Sequence, residues 1–165
     1  MILVKQNIYV FTAYYTLIIM KNPIVLGFYG KSGSGKTSLI IKLIKKLNKE
    51  GYNIVTVKIT DKNIGIDNKG KDTWKYSKAG SKLTILSSPV ETDFMIKQNK
   101  SINKILKQIH NFGSYDFVFI EGVHDKKTKK IRLGDIKERE NTVLSYKGDF
   151  DILMQFIKKT RMCKK

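Results

Sequence analysis

The stretch "GFYGKSGSGKTSLI", residues 27–40, places a run of small residues between two apolar segments. The segment that precedes the loop, "IVLGFY" (residues 24–29), is apolar throughout and follows Pro23, which is typical of a strand buried on both faces of a parallel sheet. In the segment that follows, apolar residues recur at helical spacing with lysines on the opposite side, and Gly51 supplies a stop. The stretch therefore predicts a strand, a glycine-rich loop and an amphipathic helix.

The loop from Gly30 to Thr37 fits the pattern G-x-x-x-x-G-K-[ST], and the flanking strand and helix are the context that a phosphate-binding loop (P-loop) requires. Glycines allow successive backbone N–H groups to turn onto phosphate oxygens, and the helix beginning near Lys36 adds its positive end. The alternative, an ordinary glycine-rich turn, is disfavoured by those flanking elements. The residues expected to bind phosphates are Gly30, Lys31, Ser32, Gly33, Ser34, Gly35, Lys36, Thr37 and Ser38.

Three side chains are predicted to carry the chemistry of this loop. The Lys36 ammonium is expected on the β and γ phosphates, and the Thr37 hydroxyl is expected to ligate Mg²⁺. Glu121 ends the apolar run Phe117–Ile120, and ligands of open parallel sheets lie beyond the carboxyl ends of the strands. We therefore expect Lys36 and Glu121 to be catalytic and Thr37 and Glu121 to hold the metal. The alternative for Glu121 is a solvated loop acid.

The rest of the chain alternates buried strands with amphipathic helices, which predicts an α/β fold. The expected architecture is a mostly parallel sheet with helices on both faces, the three-layer α/β/α arrangement of P-loop NTPases. Further strands are predicted at 52–60, 82–88 and 115–122 and in "KKIRL" and "NTVLSY", and further helices at 72–80, after Ser101 and from Gly148 or Asp149 to Lys159.

The length of 165 residues suits one compact domain, which we place at residues 21–165. Residues 1–20 form an apolar extension whose uncharged part, Gln6 to Met20, is short for a membrane span and lacks a small-residue cleavage site. Translation starting at Met20, an added edge strand and a hydrophobic N-terminal helix are the alternatives for this segment. A membrane anchor is not expected.

Net charge and cysteine content limit the kinds of partner and the cellular compartment that we expect. The net charge is +18, from 32 Lys and Arg against 14 Asp and Glu. The lysines are scattered along the whole chain and form no basic block, so we do not expect a nucleic-acid partner. Cys163 is the single cysteine and has no clustered histidines, which excludes a disulfide framework and a Cys/His metal site. A cytoplasmic protein is therefore expected.

The P-loop is followed along the chain by "VKITDKNIGIDNKGKDTWKYSKAGS" (57–81), "ILSS" and "DFVFIEG". In this order, over roughly Ile24 to Leu133, these segments resemble the molybdopterin-guanine dinucleotide biosynthesis protein B (MobB) family. The positions that match its most distinctive segment are Lys58, Thr60, Ile66, Asp67, Gly70, Lys71, Asp72, Ala79 and Gly80. Histidines of the family correspond here to Ile59, Asp61 and Lys62, so no role of those histidines carries over.

The resemblance implies a GTP-binding homodimer with slow GTP hydrolysis. Its relatives assist a guanylyltransferase that attaches GMP to molybdopterin in making the molybdenum or tungsten cofactor. The expected preference for GTP over ATP rests on the resemblance alone, because the Asn-Lys-x-Asp signature of many GTPases is absent. The segment after the second strand is expected to sense the γ phosphate or the second substrate, with a mobile solvated loop as the alternative. Its candidate residues are Lys58, Asp61, Asp67, Lys71 and Asp72, of which Lys58 and Lys71 are candidates for the pterin phosphate.

Two other functions stay open from the sequence. A small-molecule kinase shares the loop, but it normally carries an arginine-bearing lid, and the only arginines are Arg132, Arg139 and Arg161. A nucleic-acid-dependent ATPase would use the basic surface. Lys31 occupies the place where some dimeric relatives carry a lysine that crosses to the partner's nucleotide. One lysine among so many is weak support for that role.

Overall fold

The structure is a computed structural model and describes residues 22–162; the predictions for residues 1–20 and for Cys163 lie outside these residues. The strands are β1 (Ile24–Tyr29), β2 (Ile54–Lys58), β3 (Leu83–Ser87), β4 (Thr92–Ile96), β5 (Phe117–Glu121), β6 (Lys129–Leu133) and β7 (Thr142–Tyr146). The helices are α1 (Lys36–Lys49), α2 (Asp72–Lys78), α3 (Ile102–Ile109) and α4 (Phe150–Met162), with a 3₁₀ turn at His110–Phe112.

The described chain divides into two compact units. The first comprises residues 22–60 and 109–162, and the second is Asp61–Gln108. The first unit contains a five-stranded parallel sheet in the order β2-β5-β1-β6-β7. This sheet confirms the predicted α/β class and its mostly parallel pairing. One domain over residues 21–165 stays a prediction.

The central strand β1 organises the core of the first unit. Its alternate residues Ile24, Leu26 and Phe28 are buried on one face, and Phe28 meets Phe119 of β5 edge to face at 5.5 Å. Helices α1 and α4 contribute to the same cluster, because their apolar residues recur at helical spacing. Leu43 and Leu47 of α1 and Leu153 and Ile157 of α4 are fully buried. The amphipathic pattern after the P-loop thus docks α1 on the sheet.

The other face of the sheet is closely packed as well. Val118 and Ile120 of β5 are fully buried, and a side chain at Gly27 would overlap Val123. Lys130 of β6 is 1% exposed, and its ammonium donates to two backbone carbonyls, those of Thr128 at 2.8 Å and Glu140 at 2.9 Å. These hydrogen bonds offset the cost of burying the charge.

The second unit contains a separate antiparallel hairpin, β3-β4, with the register Leu83↔Ile96 to Ser87↔Thr92. The sequence predicted the first of these strands but not the second, and it did not foresee that they pair with each other outside the parallel sheet. The connecting turn is closed by Ser88, whose N–H donates to the Glu91 carbonyl and whose hydroxyl accepts from the Val90 and Glu91 N–H groups. A serine-stabilised turn favours pairing of neighbouring strands over a crossover connection.

Among residues 22–162, no helix combines the length and the apolar character needed to cross a bilayer.

We predict that Leu43→Ala lowers the free energy of unfolding by about 2–5 kcal/mol, because it leaves a cavity between α1 and the sheet. Ile41→Ala is the matched control on the same helix, since Ile41 is 47% exposed, and its cost is expected to be about 0.5 kcal/mol or less. Urea unfolding measures both. Equal losses would contradict the packing of α1 described above.

Candidate functional site

The loop between β1 and α1 depends on backbone conformations that favour glycine. Gly33 and Gly35 have φ angles of +75° and +81°, in the left-handed region. Gly35 is the N-cap of α1, and no side chain caps the helix there. The first N–H groups of α1 therefore face the loop without a side-chain acceptor, as in an anion-binding helix start.

Gly30 is required for a different reason, which is space. A Cβ atom at this position would lie 2.5 Å from the Leu133 carbonyl oxygen and 2.6 Å from Ser34 Oγ. The loop therefore begins in close contact with the carboxyl end of β6. A further bond, from the Ser34 N–H to the Lys31 carbonyl at 3.2 Å, closes the loop on itself.

The side chain of Lys36 turns back into the loop. Its ammonium donates to the carbonyls of Gly30 at 3.0 Å and Lys31 at 2.6 Å, and it lies 3.4 Å from Ser34 Oγ. The loop thus closes around a positive charge through its contacts at Gly30, Lys31 and Ser34. This ammonium and the N–H groups at the start of α1, which no side chain caps, are suited to an anion with several oxygens.

Thr37 and Glu121 lie beside the loop and touch each other. The Thr37 hydroxyl is 3.0 Å from each carboxylate oxygen of Glu121, to which it donates. Glu121 is the last residue of β5, and its side chain is 15% exposed. Parallel pairing of β1 with β5 places Phe28 opposite Glu121, so the carboxylate lies at the strand ends where the P-loop begins. The expected neighbourhood of Thr37 and Glu121 is therefore present.

These two groups fit a magnesium ion. Mg²⁺ prefers hard oxygen ligands and is commonly held by one or two protein oxygens, with phosphate and water completing the shell. A hydroxyl and a carboxylate already within hydrogen-bonding distance supply that kind of donor pair at the end of the loop.

Lys58 also lies beside this group, although the sequence analysis named it as a candidate for the ligand-sensing segment and not as a neighbour of Glu121. It is the last residue of β2, directly opposite Glu121 in the register, and its ammonium is 3.6 Å from Glu121 Oε1. The sequence signal for this contact was weak: both residues end an apolar strand-like run, and strand order decides whether two such ends meet.

The other candidates lie in the second unit. Asp67, Lys71 and Asp72 line one cavity of about 490 Å³, and Asp61 is not among the residues that line it. One oxygen of Asp67 accepts a hydrogen bond from the Thr73 hydroxyl at 2.9 Å, whereas its other oxygen is buried with no hydrogen-bond partner. Asp72 begins α2 and pairs with Lys75 at 3.0 Å. The structure thus brings three of the predicted residues together.

The three arginines are all engaged with protein groups. Arg132 donates to Ser145 Oγ and the Ile136 carbonyl. Arg139 donates to the Val123 carbonyl and lies 4.8 Å from the centre of the Tyr29 ring. Arg161 donates to the carboxylate of Asp116 at 2.6 Å. These contacts bind loops and the last helix to the sheet.

Comparison with known proteins gives a consistent result. The family model "Molybdopterin guanine dinucleotide synthesis protein B" (MobB) matches residues 25–154. The molybdopterin-guanine dinucleotide biosynthesis adapter protein of Haemophilus influenzae is 34% identical over 121 residues, covering 72% of this chain and 68% of that protein. Its counterpart in Escherichia coli is 30% identical over 112 residues, covering 66% of this chain and 64% of that protein.

The fold is similar to a solved structure as well. The crystal structure of Bacillus subtilis MobB has a TM-score of 0.64 at 17% identity, and the match covers 79% of this chain and 96% of that one. The resemblance seen between Ile24 and Leu133 is thereby confirmed. The chain belongs to the MobB family of molybdopterin guanine dinucleotide synthesis proteins.

Proposed function

We propose that this chain is a cytoplasmic GTP-binding adapter protein that assists a molybdopterin guanylyltransferase in forming molybdopterin guanine dinucleotide for a molybdenum or tungsten cofactor. Slow Mg²⁺-dependent GTP hydrolysis is part of the proposal. The observation that carries it is the loop closed around the Lys36 ammonium, with Thr37 hydrogen-bonded to Glu121 beside it. Membership of a family named for molybdopterin guanine dinucleotide synthesis supplies the pathway.

The loop binds the triphosphate through backbone donors and one side chain. N–H groups from Lys31 to Ser38 contact phosphate oxygens, and the start of α1 contributes its positive end. Lys36 exchanges the neutral carbonyls of Gly30 and Lys31 for charged phosphate oxygens, which form stronger hydrogen bonds with an ammonium.

Hydrolysis requires a metal and an oriented water. Thr37 and Glu121 would hold Mg²⁺, which neutralises charge on the phosphates when bound. The Glu121 carboxylate lies at the strand ends next to the loop, where it orients water for in-line attack on the terminal phosphate.

The cavity of the second unit is a candidate for the second substrate. Asp67, Lys71 and Asp72 surround about 490 Å³, a size typical of small-molecule sites, and a pterin presents N–H groups to carboxylates and a phosphate to lysine. Asp61 and Lys58 complete the segment that we propose responds to the bound ligands.

Nucleotide titration tests the first part of the proposal. Wild-type protein with Mg²⁺ is expected to bind GTP more tightly than ATP, and Lys36→Ala is expected to weaken GTP binding by about 100-fold, because two or more charge-assisted hydrogen bonds are lost. Lys49→Ala, at the far end of α1, is the control for net charge. Calorimetry measures all three proteins.

Other outcomes of the same work would favour the alternative functions. Equal binding of ATP and GTP, with phosphate transfer to a small acceptor, would indicate a kinase. Hydrolysis stimulated by DNA or RNA, with a steep dependence on salt, would indicate a nucleic-acid-dependent ATPase.

Binding to the enzyme tests the adapter role. A purified molybdopterin guanylyltransferase is expected to co-elute with this chain in size-exclusion chromatography in the presence of GTP and Mg²⁺. The chain carries +18 net charge and can therefore attract acidic proteins non-specifically. Raised salt screens that attraction, and a specific complex should persist under this condition. Separate elution with GTP and with ATP would contradict the adapter role.

We also propose that the chain forms a homodimer through the β3-β4 hairpin. One face of the hairpin carries two cross-strand apolar pairs, Leu83 with Ile96 and Ile85 with Phe94, whose side chains are 39–51% exposed. A second copy presents the same face, so a two-fold arrangement buries all eight side chains.

Replacement of Ile85 by lysine is expected to convert a dimer to a monomer, because a charge would be buried at the centre of the apolar face. Ile152→Lys is the matched control, since Ile152 is 56% exposed on α4. Sedimentation equilibrium gives the mass of each variant. A monomeric wild type, or dissociation by both substitutions, would contradict the proposed interface.

A further inference from the structure

We infer that Lys58 contacts the γ phosphate of the bound nucleotide and supplies the positive charge that many P-loop proteins obtain from an arginine. This inference rests on the proposed nucleotide function. It concerns only residues of the first unit, which lie at the carboxyl ends of β1, β2 and β5 and at the start of α1.

The backbone at Lys58 is held firmly next to Glu121. The Ile59 N–H donates to the Glu121 carbonyl at 2.8 Å, and the Gly122 N–H donates to the Phe28 carbonyl at 3.1 Å. Gly122 has a φ angle of +82°, and a side chain there would overlap the Ile59 carbonyl oxygen. These contacts hold the end of β2, with Lys58, against the ends of β5 and β1.

The side chain of Lys58, in contrast, is free to turn. It is 64% exposed, and its 3.6 Å separation from Glu121 is an ion pair without a hydrogen bond. Because the lysine is exposed and no hydrogen bond forms, the pair holds the ammonium only weakly. A terminal phosphate carries more charge than a single carboxylate, so the ammonium gains by turning towards it.

Glu121 is a shared neighbour of Lys58 and Thr37. Its carboxylate is 3.6 Å from the Lys58 ammonium and 3.0 Å from the Thr37 hydroxyl. Thr37 and Lys36 mark the end of the loop where the β and γ phosphates lie in this motif. Lys58 thus contacts the same carboxylate as Thr37, which lies where the γ phosphate is expected.

No arginine of the chain competes for this role. Arg132, Arg139 and Arg161 each donate hydrogen bonds to protein acceptors in the structure. Moving one of them to a phosphate would break contacts that attach loops or α4 to the sheet. Lys58 needs no such rearrangement.

The test compares affinities for a diphosphate and a triphosphate. Calorimetry with Mg²⁺ is carried out with GDP and with a GTP analogue whose β–γ bridge is an imido group. Lys58→Met removes the charge and keeps the length of the side chain. Lys58→Arg restores a cation, and Lys49→Met is the control for the change in net charge.

Lys58→Met is expected to weaken binding of the imido analogue by about 10-fold, the effect of losing one charged hydrogen bond, and to leave GDP binding within about 2-fold. Lys58→Arg should restore binding of the analogue. Single-turnover hydrolysis of GTP is expected to fall by about 100-fold in Lys58→Met, because the charge on the transferred phosphoryl group is no longer balanced.

Parallel weakening of GDP and the analogue would overturn the inference, since that result indicates that Lys58 only orients Glu121. Unchanged affinities for both nucleotides would overturn it as well. A wild-type protein that binds neither nucleotide would overturn the proposed function itself. If the wild type binds GDP, and Lys58→Met has the same ratio of analogue affinity to GDP affinity as the wild type, only the role of Lys58 is overturned.

Discussion

The turn of the main chain between β1 and α1 is the constraint on which the site depends. Gly33 and Gly35 adopt left-handed conformations, and Gly30 fits against the Leu133 carbonyl only because it has no side chain. Together they direct a short series of backbone groups around the Lys36 ammonium. Backbone donors held in place by a strand and a helix need little reorganisation when an anion binds, and such preorganisation is a principal source of affinity and catalysis.

The parallel sheet decides which side chains join that loop. Because parallel strands end at the same edge, β2 and β5 bring Lys58 and Glu121 next to each other and next to the start of α1. Thr37 completes the group through its hydrogen bond to Glu121. A cation, a carboxylate and a hydroxyl thus meet from three elements that are far apart in the chain.

Two of the chain's many lysines have defined neighbours at the carboxyl edge of the parallel sheet. Most lysines are spread over the surface, and their number alone indicates no partner. Lys36 differs from them because the loop before α1 closes around its ammonium, and Lys58 because it ends β2 beside Glu121. The three arginines instead hold structural contacts, as the bond of Arg161 to Asp116 shows. Position in the fold, and not charge in itself, separates the candidate site cations from the others.

Sequence reasoning was strongest where the signal is local. The strand at 24–29, the amphipathic helix after it and the phosphate-loop pattern predicted β1, α1 and the conformation between them, because glycine content and hydrophobic periodicity act over a few residues. The family resemblance was confirmed over the same region. The hairpin partner β4 was missed, since the alternation in "TDFMI" is short and its pairing with β3 depends on the turn at Ser88.

By itself the sequence predicted a loop of the phosphate-binding pattern between a buried strand and a helix, because glycines at positions 33 and 35 permit the left-handed backbone conformations that the loop adopts. Tertiary structure decided which distant residues face the loop. Strand order places β5 and β2 on one side of β1, so Glu121 and Lys58 pair, while the residues Asp67, Lys71 and Asp72 gather around a cavity of their own. Such contacts depend on the register of strands that are separated by some sixty residues, and no local pattern encodes that register.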